Sequence, residues 1–422
     1  MSVSVAMRKR VRDPLSPEAA AVLSAMTPGA PGRTATSRRT VLRGLLATGA
    51  FAATGAGLTA CGMPGTRQDP AACRSADRSA DDKVLVVSNW PLYIDVDEDD
   101  ESKRPTLDAF MAESGIQVTY QEDVNDNNEF FGKVRNQLAA CQTVDRDIIV
   151  LTDWMAARMI RLGWVQPLAK DKIPNVTANL LPSLRGRPWD KETEYAVPWQ
   201  TGLAGIAFNG NVTKEVRTVD ELLTRPDLKG KVTMLSEMRD TVGLILLSMG
   251  NDPADFTEEQ FDAALTKLQT AVDSGQIRRF TGNDYAQELA KGDIAACVGW
   301  SGDVIQLNFE DEKVKFVSPE SGVMLWSDNM QVPNRATHQG NAEALMNYYY
   351  EPAVAAELAA YVNYICPVEG AKAEMESIDP ELAANELIFP DESVLSTAKV
   401  FMALNEAQER IFEQKFQQVI GA

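Results

Sequence analysis

An α/β fold on a largely parallel sheet is what this sequence predicts, and three observations predict it. Short apolar runs rich in Val, Ile and Leu recur along the chain, amphipathic stretches of helical length separate them, and the runs stop at polar or aromatic tips. Strands that are apolar at every position suit a parallel sheet, which is covered on both faces. The 422 residues, 45% hydrophobic and 24% charged, suffice for a large core in two or three domains.

The first sixty residues predict an address instead of a domain. Ser37-Arg38-Arg39-Thr40-Val41-Leu42-Arg43 has the pattern of a twin-arginine export signal. The charge-free run Gly44–Leu58 is too short and too rich in Ala and Gly for a membrane span. It ends in Leu58-Thr59-Ala60-Cys61-Gly62, which resembles a bacterial lipobox, so Cys61 is expected to carry lipid and to anchor the mature chain. An uncleaved anchor helix with an incidental cysteine is the plain alternative. The long lead makes Met7 or Met26 an alternative start. Residues 61–83, rich in Gly, Pro, Ser and Asp without apolar periodicity, read as a flexible tether.

Composition excludes several functions. Residues 1–60 carry eight Lys/Arg and two acids, so of the net charge of −19 the chain from Cys61 onward carries −25. Nucleic acid is therefore not an expected partner, since phosphate backbones need basic surfaces. The acidity suits a cationic ligand, and equally suits solubility alone. Cys73, Cys141, Cys297 and Cys366 have no CxxC spacing and the chain holds one histidine, His338, so no metal site and no cofactor is expected. Disulfides are permitted after export, but their pairing is not legible, and Cys141 and Cys297 sit in contexts that also suit a core.

In order along the mature chain, Val84–Val87 is a buried strand ending at Ser88-Asn89-Trp90-Pro91. Thr106–Ser114 is a helix, Ile116–Tyr120 an alternating strand, 130–140 a helix and Asp147–Leu151 a second buried strand. Gly205–Asn209 and Lys231–Leu235 are strands around the short helix Val219–Thr224. Phe261–Ser274 is an amphipathic helix, Asp293–Trp300 a strand, Met330–Pro333 another, and the remainder from Asn341 is mostly helical. Ligands of such sheets bind beyond the carboxyl ends of the strands. Trp90, Trp154, Trp300 and Trp326 all fall at such ends, with Asp153, Asp303 and Asp328 close by.

The order of these segments resembles the spermidine/putrescine-binding proteins of bacterial ABC importers. The resemblance rests on Asn89-Trp90-Pro91-Leu92-Tyr93, Asp147–Val150 before Thr152-Asp153-Trp154, Ala196-Val197-Pro198-Trp199, Glu237-Met238-Arg239-Asp240, Gly299-Trp300-Ser301-Gly302 and Trp326-Ser327-Asp328. It implies the two-lobed periplasmic-binding-protein fold (type II-like), with residues 84–206 plus 329–366 as one lobe, 207–328 plus 367–422 as the other, and crossing strands between. It also implies a monomer that delivers a polyamine to ABC permease subunits. Carried over by position, it implies aromatic contacts from Trp90, Tyr93, Trp154, Trp300, Trp326 and Tyr364, a hydroxyl from Thr152, and carboxylates from Glu237, Asp240 and Asp328. Pro91 departs from the family's small hydroxyl residue, and the acids at 237 and 240 are exchanged in kind.

The chemistry is coherent without the resemblance. A polyamine is a string of ammonium groups on methylenes, so it needs carboxylates at fixed points along flat aromatic walls. Asp153 and Asp303, beside Trp154 and Trp300, join the candidate set on this ground. Any one of these tryptophans is as easily a core plug, and Glu237 and Asp240 are as easily acids facing the start of a helix. The alternative of another class is an exported hydrolase with paired carboxylates; the nearer alternative keeps the fold and binds another small amine or solute.

Overall fold

Ten strands form one sheet in the computed structural model, which describes residues 73–421 apart from Glu98 and 392–397. The expected export signal, Cys61 and the tether before Cys73 lie outside the described residues. The strands are β1 Val84–Asn89, β2 Gln117–Glu122, β3 Ile148–Thr152, β4 Val197–Asn209, β5 Val232–Leu235, β6 Ile277–Thr281, β7 Ala296–Trp300, β8 Val314–Val317, β9 Val323–Gln331 and β10 Ala398–Lys399. The order is β2-β1-β3-β9-β4-β7-β5-β6, with β10 on β9 and β8 on β4.

The sheet is parallel at its two ends, where β2, β1 and β3 pair in one set and β6, β5 and β7 in the other. It is antiparallel at its centre, where β9 and β4 pair with each other and with β3 and β7. The expectation of a largely parallel sheet is corrected there. β4 and β9 are both longer than expected because their polar and glycine residues, Gln200-Thr201-Gly202 and Ser327-Asp328-Asn329, disguise strand runs that are nonetheless buried.

Two clusters of apolar side chains flank this centre. One gathers β1, β3 and the helices around them; the other gathers β5, β7 and the helices Met238–Ser248 and Glu258–Asp273. β4 gives Val197 and Trp199 to the first and Ala204–Phe208 to the second, and β9 gives Met330 and Met324 in the same way. The segment after Cys366, expected with the second lobe throughout, divides between the two. Val368, Ala371, Met375, Leu382 and Ile388 pack in the first cluster, whereas Phe401, Phe412 and Phe416 pack in the second.

Local signals explain the helix starts. Thr218 with Glu221, Thr257 with Gln260 and Asn405 with Gln408 form reciprocal capping boxes. Cys73 is disulfide-bonded to Cys141, and Cys297 and Cys366 are buried thiols. No helix among the described residues is long and apolar enough to cross a membrane.

Candidate functional site

The carboxyl ends of β1, β3, β5 and β7 open on one cavity of about 610 Å³, which the crossing strand β9 lines with Met324, Leu325, Trp326 and Asp328. All twelve candidate residues line it: Trp90, Tyr93, Thr152, Asp153, Trp154, Glu237, Asp240, Trp300, Asp303, Trp326, Asp328 and Tyr364. Sheet register brings several of them together. Across β4, Gln200 lies opposite Asp328, Gly202 opposite Trp326 and Ala204 opposite Trp300. These β4 positions are two apart, so their partners rise on one face. Thr152 stands opposite the same Asp328 on β3.

Aromatic rings form a continuous wall. The centroids of Trp300 and Trp326 are 6.2 Å apart, those of Trp326 and Tyr364 5.5 Å, and those of Tyr364 and Tyr93 5.2 Å, each pair edge to face. Trp326 lies directly over Gly202, where an added Cβ would overlap the indole. Gly202→Ala is therefore expected to displace the ring and to lower stability by about 1–3 kcal/mol, read from chemical denaturation; an unchanged midpoint would show that the ring does not depend on that glycine.

The carboxylates differ in what already holds them. Asp303 accepts from Tyr364 Oη at 2.7 Å, Tyr285 Oη at 2.9 Å and Asn283 Nδ2 at 3.2 Å, so neutral donors occupy both oxygens. Asp153 accepts from Asn329 at 2.8 Å and faces Arg187 at 3.6 Å. Glu237 accepts from the Trp154 indole at 3.2 Å and from the Arg239 amide at 3.3 Å, and its oxygen is 3.5 Å from the Arg239 guanidinium. It caps the helix Met238–Ser248 and faces the cavity at once, which unites the two sequence-level alternatives for this acid. Asp240 accepts from the Trp300 indole at 2.8 Å, and Asp328 from Thr152 Oγ1 at 2.7 Å. Thr152 is oriented by the side chain of Asn127, which donates at 2.8 Å.

Asp240 and Asp328 are 5% and 4% exposed, and among the described residues neither forms a salt bridge. Burial pushes each up to about 7. Burial also carries Glu237 up to about 8, outweighing the pull of Arg239. Asp153 and Asp303 are raised by burial as well, against their hydrogen bonds. The chemistry follows from these directions: two ionisable oxygen pairs sit in an aromatic enclosure without a salt bridge, and burial outweighs the pull of Arg239 on Asp240.

Trp154 has a different setting from the other tryptophans. The guanidinium carbon of Arg239 lies 3.8 Å, and that of Arg158 5.2 Å, from its ring centre. Arg239 is a buried ion-pair partner of Glu237, Glu409 and Glu413. The contributions of Asn127, Asn283, Tyr285, Glu409 and the segment 400–404 to the lining or its supports were not anticipated, because partners tens to hundreds of residues apart leave no spacing signal.

Comparison with known proteins places this geometry. The pattern of the bacterial extracellular solute-binding proteins matches residues 106–390. Spermidine/putrescine-binding periplasmic protein 1 of Haemophilus influenzae is 27% identical over 383 residues, covering 90% of this chain and 98% of that protein. The putrescine-binding periplasmic protein PotF of Escherichia coli is 29% identical over 343 residues, covering 76% and 87%. A solved structure from Listeria monocytogenes, described as a spermidine/putrescine ABC transporter, superposes with a TM-score of 0.69 at 26% identity, over 80% of this chain and 98% of that one. With its two clusters, crossing strands and central cavity, the chain belongs to the family of bacterial extracellular solute-binding proteins.

Proposed function

We propose that this protein captures a polyamine, putrescine or spermidine, outside the cytoplasm and delivers it to the permease of an ABC importer. The observation that carries the reading is the pair Asp240 and Asp328, buried carboxylates that form no salt bridge among the described residues and line an aromatic cavity. A buried charge left unpaired costs several kcal/mol, and a ligand ammonium supplies the missing charge. The rings of Trp300, Trp326, Tyr364 and Tyr93 suit the methylenes between ammonium groups. Relatives that bind these amines align over most of the chain.

In this reading Cys61 carries the lipid anchor after twin-arginine export, the protein acts as a monomer, and it catalyses no reaction. Binding couples to closure because the lining comes from both halves: Trp90, Tyr93, Thr152 and Trp154 from the side of β1 and β3, and Glu237, Asp240 and Trp300 from the side of β5 and β7. A dication that engages both halves stabilises the closed state, which docks on the permease. Micromolar affinity requires about 8 kcal/mol, within reach of two charge-assisted contacts and stacking.

A calorimetric panel of putrescine, spermidine, spermine and arginine tests this. At least one of the first two is expected to bind at micromolar concentration or tighter, with arginine weaker. Silence towards all the amines overturns the reading, and turnover of a glycoside by the same preparation would favour the hydrolase.

A further inference from the structure

Three helices meet beside the cavity, and they belong to different halves of the fold. Helix Asp153–Leu162 packs in the first apolar cluster through Met155 and Met159. Helix Met238–Ser248 packs in the second through Val242 and Leu246, and helix Glu406–Ile420 packs there through Phe412 and Phe416. Glu409, buried on the last of these, lies 2.6 Å from the guanidinium of Arg161 and 3.3 Å from that of Arg158, both on the helix of the opposite half. On its own side it lies 3.3 Å from Arg239. Trp154 reaches across in the same place: its indole N–H donates to Glu237 at 3.2 Å, and the Arg239 guanidinium lies 3.8 Å over its ring.

The cluster balances its own charge, with Arg158, Arg161 and Arg239 against Glu237, Glu409 and Glu413. It therefore calls for no ammonium. It is also set apart from an ordinary surface pairing, since the side chain of Glu409 is 5% exposed and that of Arg158 17%; water and salt screen such a group weakly. Separating the halves would take from Arg158 and Arg161 the one carboxylate that each pairs with among the described residues, and from Trp154 both Glu237 and Arg239.

We infer that Glu409 is a positioning residue, the keystone of a clasp that draws the two halves together through the protein's own charges and favours the closed arrangement before any ligand binds. The inference needs the two-cluster fold and stands apart from the identity of the ligand. Apparent affinity scales with the population of the binding-competent state, so a clasp of this kind tightens binding and slows release by acting on closure alone.

Small-angle scattering of the ligand-free, full-length protein tests the inference without any amine. Glu409→Gln and, from the opposite half, Arg161→Gln are each expected to enlarge the radius of gyration relative to the unaltered protein. Together they should add less than the sum of the two, because they break one shared contact. Ligand-free profiles of the variants that coincide with that of the unaltered protein overturn the inference. Should Glu409→Gln fail to fold, Arg161→Gln decides, since that side chain is 35% exposed and its loss spares the core. Stopped-flow release of putrescine supplies a second readout of opposite sign to simple electrostatics. Removing a positive charge beside the cavity would by itself hold a cation more tightly, whereas loss of the clasp is expected to quicken release from Arg161→Gln about tenfold. Slower or unchanged release overturns the inference. Silence towards putrescine counts against the polyamine reading alone, and the scattering result then decides the clasp.

Discussion

Asp328→Asn is expected to weaken putrescine binding by about a hundredfold, and by no less than tenfold, because truncating one partner of a buried charged pair costs about 2–5 kcal/mol. The substitution keeps the size of the side chain and an oxygen that accepts from Thr152, so the local packing persists. What it removes is the charge that an ammonium pairs with. The same change should not lower the stability of the empty protein. Asp328 is buried against its ionised form, so a neutral amide relieves a desolvation penalty. Calorimetry and thermal melting of the one variant therefore give opposite signs: affinity falls while the midpoint holds or rises. A variant that melts early and binds weakly would mean that Asp328 is a structural acid, and full-strength binding would remove it from the site.

Binding is expected to release protons at pH 7 and to strengthen by about tenfold or more from pH 6 to pH 8. Burial holds Asp240 and Asp328 at about 7 and Glu237 at about 8 in the empty site, so protons occupy these carboxyls near neutrality. An ammonium can pair only with the ionised form, and alkyl ammonium groups stay charged throughout this range. The amine consequently displaces protons, and affinity falls as pH falls through 7. The sign for the empty protein is the reverse. Each carboxyl has a folded value above its ordinary 3.8 or 4.5, so the folded chain holds protons more tightly than the unfolded chain between these limits. This contribution is lost progressively as pH rises from the ordinary carboxyl values through 7 to 8, so the empty protein should lose stability across that span and level off above it, and saturating putrescine should lessen the loss near neutrality. Calorimetry in buffers of different ionisation enthalpy counts the protons; buffer-independent heats and a flat affinity profile would show that the carboxyls are ionised before the amine arrives.

Much of the site was legible because its tryptophans and acids sit at the ends of apolar runs, and a strand end is a local pattern. Trp90, Trp154 and Trp300 were found this way, and each lines the cavity. What escaped was the strand context of Trp326 and Asp328. They lie inside β9, whose polar face looks like a loop until its pairing with β3 and β4 is known. Helices close to these ends, such as Asp153–Leu162 and Ser301–Glu310, escaped for a related reason: their apolar stripes are short and start on polar residues.

The sequence by itself determined the alternation of strands and helices, the residue types gathered at the strand tips, and an acidic, histidine-poor composition that suits neither nucleic acid nor zinc. These are properties of neighbouring residues, and periodicity and charge report them directly. Only the tertiary structure decided which acids are free. Asp303 and Asp240 are alike in sequence, yet one is enclosed by Tyr285, Asn283 and Tyr364 and the other meets a single indole. It likewise joined Cys73 to Cys141 and laid Arg239 over Trp154, contacts between residues 68 apart in the first case. The free energy of a buried charge depends on whatever surrounds it in space, and the surroundings come from distant parts of the chain.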